Sequence, residues 1–256
     1  MSKPRILIPC TDIKSSKSLE QLRACLKSLE GYCDFNITCV FDSCNNEFVE
    51  YFEKTFHINE VIRNTGNRLN FSRNVNLGLR RCREREETVF LLNQDTALRP
   101  EQGLELSKLC NWVGITNLKC CDDPKNIPEG TGEIVEVAPG DKVAFFGTII
   151  HHSIIKEIGI LDGAFKRGGC EDDDYQLRAK LAGFKVYVAD RYLYHQGSYV
   201  DSSDPNWTSS SGSYNAADLG FNLNMLLTKW QCNQPHAEVQ KWVLENHKWN
   251  SSMAID

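Results

Sequence analysis

Three short apolar runs, each closed by polar turn residues, fix most of what this chain can fold into. Residues 5–9 (RILIP), 36–41 (NITCVF) and 88–92 (TVFLL) read as buried strands, with a shorter one at 60–63. Between them the apolar residues change period. Leu19, Leu22, Leu26 and Leu29 recur at helical spacing behind the helix-start residues Ser15 to Ser18; Phe48, Val49, Phe52 and Phe56 suit a second helix. Val75, Leu79 and Cys82 turn inward on a third, over 71–83. Strands alternating with helices imply a mostly parallel sheet covered on both faces, and such sheets bind ligands at the carboxyl ends of their strands. Asp42 and Asp95 both fall at such ends.

The second half is less regular. The pattern predicts strands near 113–118, 133–138, 142–149, 184–188 and 191–195, a polar loop at 120–132, and a short helix over 153–158 stopped by Gly159. A better helix runs from Glu171 to Ala182, with Gly183 as its stop. Residues 197–213 are rich in Ser, Asp, Gly and Pro and read as a mobile loop, a candidate lid over a bound ligand. The tail from 214 to 248 reads as two helices broken at Pro235.

Composition narrows the partners. A net charge of −5 over 256 residues gives no basic field to hold a nucleic-acid backbone. No apolar run is long enough to span a bilayer, and the N-terminal MSKPRILIPCTD lacks the form of a signal peptide. Eleven cysteines is an odd count, and Cys10, Cys25, Cys39, Cys82, Cys110 and Cys232 sit in apolar stretches, where a reduced thiol acts as a small hydrophobe. The expected setting is a reducing, cytoplasmic one. The sequons at Asn36, Asn70, Asn206 and Asn250 then carry no meaning.

Two acidic motifs carry the chemistry. Asp95, in LLNQDT, follows a wholly apolar strand and stands at the sheet edge, where a carboxylate can share Mg²⁺ or Mn²⁺ with phosphate or simply cap a turn. Glu171, Asp172, Asp173 and Asp174 open a helix behind Gly168-Gly169. The helix dipole favours acid there, yet four in succession repel one another, as in sites that hold a cation or need a base of raised pKa. His195 ends a strand, either as a structural residue or as a metal ligand. Asp42 forms a turn or accepts from a ribose or base. Arg68 and Arg73 clamp phosphate or are solvated helix charges.

In their order these motifs resemble the inverting nucleotide-sugar glycosyltransferases of family 2, which have the GT-A fold. The resemblance covers roughly residues 3–200 and rests on Asp42, Asn76-Leu77-Gly78, LLNQDT, FFGTIIHHSIIKEIGILDGAF, EDDDYQLRAKLAGFKV and His195, with Lys229-Trp230 similar to a lysine-tryptophan pair near the end of many members. It implies a GT-A catalytic domain over 1–200, with a nucleotide-binding half (1–96) and an acceptor half (97–200), and residues 201–256 as a loop and helices packed on it. It implies that Asn93-Gln94-Asp95 is the DxD-like motif, with Asp95 and His195 holding Mn²⁺ or Mg²⁺. Pro9, Thr11, Asp12, Asp42, Arg68, Arg73, Asn93 and Asp95 would bind the donor, Cys10 would lie beside the nucleobase, and Asp172, paired with Glu171, would be the base.

Two departures stand out. Asn93 replaces the first carboxylate of DxD, and the run of three aspartates leaves the base open among neighbours. With no Gln-x-x-Arg-Trp motif, a single transfer is expected rather than processive synthesis. A UDP-sugar is the expected donor, although LLNQDT also resembles rhamnosyltransferases, which use dTDP- or UDP-deoxysugars. The acceptor, be it glycan, lipid-linked or protein, is not encoded in these motifs. A nucleotidyltransferase would need a Gly-rich basic loop where PCTDIKSS stands, and a non-catalytic binding module would dispense with the base.

Overall fold

The computed structural model describes residues 3–11, 16–66, 70–196 and 215–256. Its first half is built from β1 (Arg5–Thr11), α1 (Ser16–Ser28), β2 (Asn36–Asp42), α2 (Asn46–Thr55), β3 (Glu60–Asn64), α3 (Phe71–Arg85) and β4 (Val89–Leu92). β3, β2, β1 and β4 lie side by side and parallel. Because the chain winds outward from β1 to β3 and then returns to the other side of β1, the order reverses between β1 and β4. A crevice opens at such a switch point beyond the strand ends.

The second half adds β5 (Thr96–Ala97), α4 (Gly103–Leu109), β6 (Ile115–Cys121), β7 (Ile134–Glu136), β8 (Gly147–Ile150), α5 (His152–Ile158), α6 (Glu171–Leu181) and β9 (Val186–His195). The nine-stranded sheet runs β3-β2-β1-β4-β8-β6-β9-β5, with β7 also on β9. It is mixed, since β8 is antiparallel to both β4 and β6, and β9 is antiparallel to β5 and β7. Two apolar layers cover it. Leu22, Cys25 and Phe52 pack on one face with Ile8, Cys10 and Cys39; Val75, Leu79, Ile154 and Tyr175 pack on the other with Leu7 and Val40. All six cysteines placed in apolar stretches are buried.

Two segments depart from the sequence pattern. Residues 142–149 make a strand only from Gly147, because the backbone before it is engaged by α6: Val143 N donates to Gln176 Oε1 (2.9 Å) and Phe145 N to Asp172 Oδ2 (3.3 Å). The strands read at 184–188 and 191–195 are one, β9, with a register shift against β6 between Leu118 and Lys119 that absorbs the polar Asp190-Arg191. Among the rest, α4 and β5 have no counterpart in the sequence pattern.

Further along the chain, α7 (Ala216–Lys229) and α8 (Val239–Asn246) pack on α6 around Phe165, Leu177, Leu226 and Val243. The tail breaks near Pro235, as its sequence predicts, in a 3-10 turn over His236–Glu238. The loop at 197–213, Asp12 and Arg68 lie outside the described residues. No helix among the described residues is long and apolar enough to cross a membrane.

Candidate functional site

Asn93-Gln94-Asp95, read from the sequence as DxD-like, begins where β4 stops. Asn93 N donates to Phe146 O (3.0 Å), then the chain turns through Gln94 and Asp95 into β5. β5 pairs with the last residues of β9, Thr96 opposite His195, and Gln196 N donates to Asp95 O (2.9 Å). That pairing brings His195 Nε2 to 3.4 Å from Asp95 Oδ1. The imidazole lies flat on Phe146, ring centres 5.1 Å apart at 17°, which fixes its plane. Two buried atoms here have no hydrogen-bond partner, His195 Nδ1 and Asn93 Oδ1. Buried polar atoms are rarely left so. A carboxylate, an imidazole nitrogen and an amide oxygen form a donor set suited to Mn²⁺ or Mg²⁺.

Asp42 ends β2 fully buried, opposite Thr11 on one side and Asn64 on the other. Burial raises its pKa, against the Ser43 hydroxyl (3.0 Å to Oδ1) and the Asn70 backbone N–H (3.4 Å to Oδ2). Asn70 also caps α3 through Arg73 N and donates to Phe165 O (2.6 Å), so it ties Asp42 to the loop that leads into α6. Pro9 is buried two residues short of the end of β1. Arg73 is exposed; its Nε reaches Gly163 O (3.3 Å), and it lines a cleft with Arg80, Leu161 and Asp256 rather than facing Asp95.

The four acids at the head of α6 separate into distinct roles. Cys170 enters the helix left-handed (φ 66°), and the carbonyl of Gly168, in the glycine pair read as a ligand approach, is taken by Asn222 Nδ2 of α7 (2.8 Å). Asp174 is fully buried and accepts from Arg178 Nε (3.0 Å), Lys229 Nζ (2.8 Å) and Trp230 Nε1 (3.1 Å). It is a structural residue. Asp173 would be pushed up by burial, but contacts with His236 and Lys142 hold it below the usual carboxylate range. Glu171 is buried with one oxygen unpartnered; desolvation and the adjacent Asp172 charge push it up to about 8. Asp172 is half-buried, pushed up to about 6 by desolvation and the Asp173 charge, with Lys142 pulling the other way.

Phe145 and Phe146 join the two motifs. One donates its backbone N–H to Asp172; the next accepts from Asn93 and stacks on His195. Asp172, Asn93, Asp95 and His195 are thus gathered around one dipeptide at the crevice end of the sheet.

This architecture has close parallels among solved structures. It is similar to residues 1–349 of S. aureus TarS in complex with UDP-GlcNAc, with a TM-score of 0.62 at 15% identity, covering 95% of this chain and 70% of that one. The same TarS fragment with UDP gives 0.61 at 14%, with equal coverage. GalNAc-T7 with UDP, GalNAc and Mn²⁺ gives 0.54 at 12%, covering 75% of this chain and 43% of that one. The fold is of the GT-A type. Against a longer TarS chain the protein spans 42% of that length. No protein-family model and no curated protein matches the sequence.

Lys142 and His236 were not visible as site residues in the sequence. Neither belongs to a motif, and they lie 94 residues apart, brought together only when α8 docks on α6.

Proposed function

We propose that the protein transfers one sugar from a nucleotide-diphosphate sugar to an acceptor hydroxyl, with inversion, and that Asp172 is its base. The observation that carries this reading is the Phe145-Phe146 dipeptide, which holds Asp172 at one end and the Asn93–Asp95 and His195 group at the other. An inverting transfer needs a base on one side of the anomeric carbon and diphosphate-binding groups on the other.

In this reading the nucleotide lies in the crevice between β1 and β4, with Asp42 and the Thr11 end of β1 beside base or ribose. Asp172 takes the acceptor proton as the acceptor oxygen bonds to the anomeric carbon, and the bond to the diphosphate oxygen breaks on the opposite face. A carboxylate raised to about 6 is ionised at neutral pH and still basic enough for the step. Glu171, raised to about 8, keeps its proton there and is a hydrogen-bond donor toward the acceptor. Asp95, His195 and the Asn93 amide would hold Mn²⁺ or Mg²⁺, which when bound offsets the charge of the departing diphosphate. The UDP and UDP-GlcNAc bound by TarS support a UDP-sugar donor. Residues 1–200 form the catalytic unit in this reading, and 201–256 pack against it.

The test is turnover of a panel of UDP- and dTDP-sugars with Mn²⁺ and mixed acceptors, beside thermal shift. The expected result is stabilisation by one donor and product of inverted configuration, with Asp172→Asn losing about 10²–10⁴-fold in rate while still binding donor. Donor binding without product would make the chain a binding module; full activity in Asp172→Asn would remove the base assignment.

A further inference from the structure

Behind the acidic start of α6 lies a cluster to which the transfer step assigns no direct role. Lys142 Nζ is 2.7 Å from Asp173 Oδ2 and 2.6 Å from His236 Nε2, and that ring nitrogen is 2.6 Å from the same carboxylate oxygen. The three side chains come from the segment before Phe145, from α6 and from the 3-10 turn preceding α8. Asp173 is 4% exposed.

One proton cannot satisfy all three contacts. With hydrogen on Nε2, the imidazole donates to Asp173 and repels the ammonium; without it, the nitrogen accepts from Lys142 and faces the carboxylate lone pairs. The cluster therefore has two arrangements that differ by where one proton sits. Cys170 also brings its sulfur within reach, so that Cys170, Asp173 and His236 place three ligand-type atoms within 4.8 Å of one another. The ammonium of Lys142 already stands against two of them, and a metal ion would have to displace it.

The base is directly attached to this cluster. Asp173 N donates to Asp172 Oδ1 (2.9 Å), and Phe145, three residues beyond Lys142, donates to Asp172 Oδ2 (3.3 Å). We propose that Lys142 and His236 are positioning residues that set the proton affinity of Asp172 by neutralising Asp173, so that the C-terminal segment tunes the base. This rests on the reading of Asp172 as base. The charges that face the pair are few. Glu171 and Cys170 precede it on the same element, both protonated at neutral pH through burial and the neighbouring acids, and Lys180 acts on Asp173 from the far end of α6. An ionised neighbour raises a carboxylate and a cation lowers it, by about 1–3 pH units at contact distance. Lys142 does both in the favourable sense: it lowers Asp172 directly and offsets Asp173.

The experiment uses the full chain. Asp carboxyl resonances are titrated by ¹³C NMR, with Asp172 assigned by its loss in Asp172→Asn, beside the pH profile of kcat/KM for the donor that turns over. Lys142→Met is expected to move the Asp172 titration up by about one pH unit or more and the acid limb of the profile with it. Lys142→Arg keeps the charge and is expected to leave both in place, and His236→Gln to move them upward roughly half as far. An unmoved Asp172 titration in folded Lys142→Met overturns the proposal, as does an equal shift in the arginine variant. Should Lys142→Met fail to fold, an unmoved titration in His236→Gln overturns it. A shifted titration in a protein that turns over no donor would leave the cluster standing and remove the transfer reading instead.

Discussion

Trp230 donates its indole N–H to Asp174 at 3.1 Å, the carboxylate that also holds Arg178 and Lys229, so the end of α7 is pinned to the acidic helix through a residue with no solvent exposure. Removing Asp174 leaves the buried Arg178 guanidinium without its counter-charge. Asp174→Ala is expected to cost about 3–5 kcal/mol, read from urea unfolding, whereas Trp230→Phe, which keeps an aromatic ring but loses the indole N–H and part of the buried volume, costs less, about 1–3 kcal/mol.

In the proposed reading, the neutral Asn93 in the DxD-like position sets the metal dependence. Asn93→Asp adds a second carboxylate beside Asp95 and is expected to tighten Mn²⁺-dependent donor binding, while Asp95→Asn abolishes it. Calorimetric titration of UDP-sugar at graded Mn²⁺ checks both; unchanged metal dependence in the two variants would mean that this motif holds no ion.

Glu171 gives stability a pH signature. Its folded value near 8 lies above the ordinary 4.5, so the unfolded state loses this proton first and stability falls as pH rises from about 4.5 to 8. Glu171→Gln removes that slope. Its Tm is expected to match wild type near pH 4 and exceed it at pH 8, by roughly 2–4 °C for each kcal/mol relieved.

Phe146 fixes the plane of His195 by stacking on its imidazole. Phe146→Ala is expected to leave the fold in place and lower kcat by about 10- to 100-fold, the scale of a misplaced catalytic group. Phe146→Leu, which fills the space without a flat face, falls between. Equal rates for all three would mean that the stack orients nothing.

What the sequence made legible follows from which backbone bonds each segment makes. RILIP, NITCVF and TVFLL are buried on both faces, so continuous apolar character marks them, and Asp42 and Asp95 are readable as the residues just past such runs. The helix from Glu171 ends as its glycine foretells, with Phe184 N bonded to Ala179 O and Gly183 N to Lys180 O. The segment from Lys142 to Phe146 deceives because its apolar side chains mimic a strand while its amides serve α6. The four acids look alike in sequence, and only packing distinguishes Asp174, sealed by Lys229 and Trp230, from Asp172 beside Phe145. Partners 55 or more residues away leave no local trace.

The anchoring of α6 by residues near the end of the chain also orders events during synthesis. A nascent chain extended only through β9 holds Asp174 with Arg178 alone, and Asp173 without His236. The contacts of the acidic helix with Lys229, Trp230 and His236 form only once those residues have left the ribosome. The acidic helix is therefore anchored last, and a stalled chain lacking those residues would carry the sheet with Asp173 and Asp174 short of their C-terminal partners.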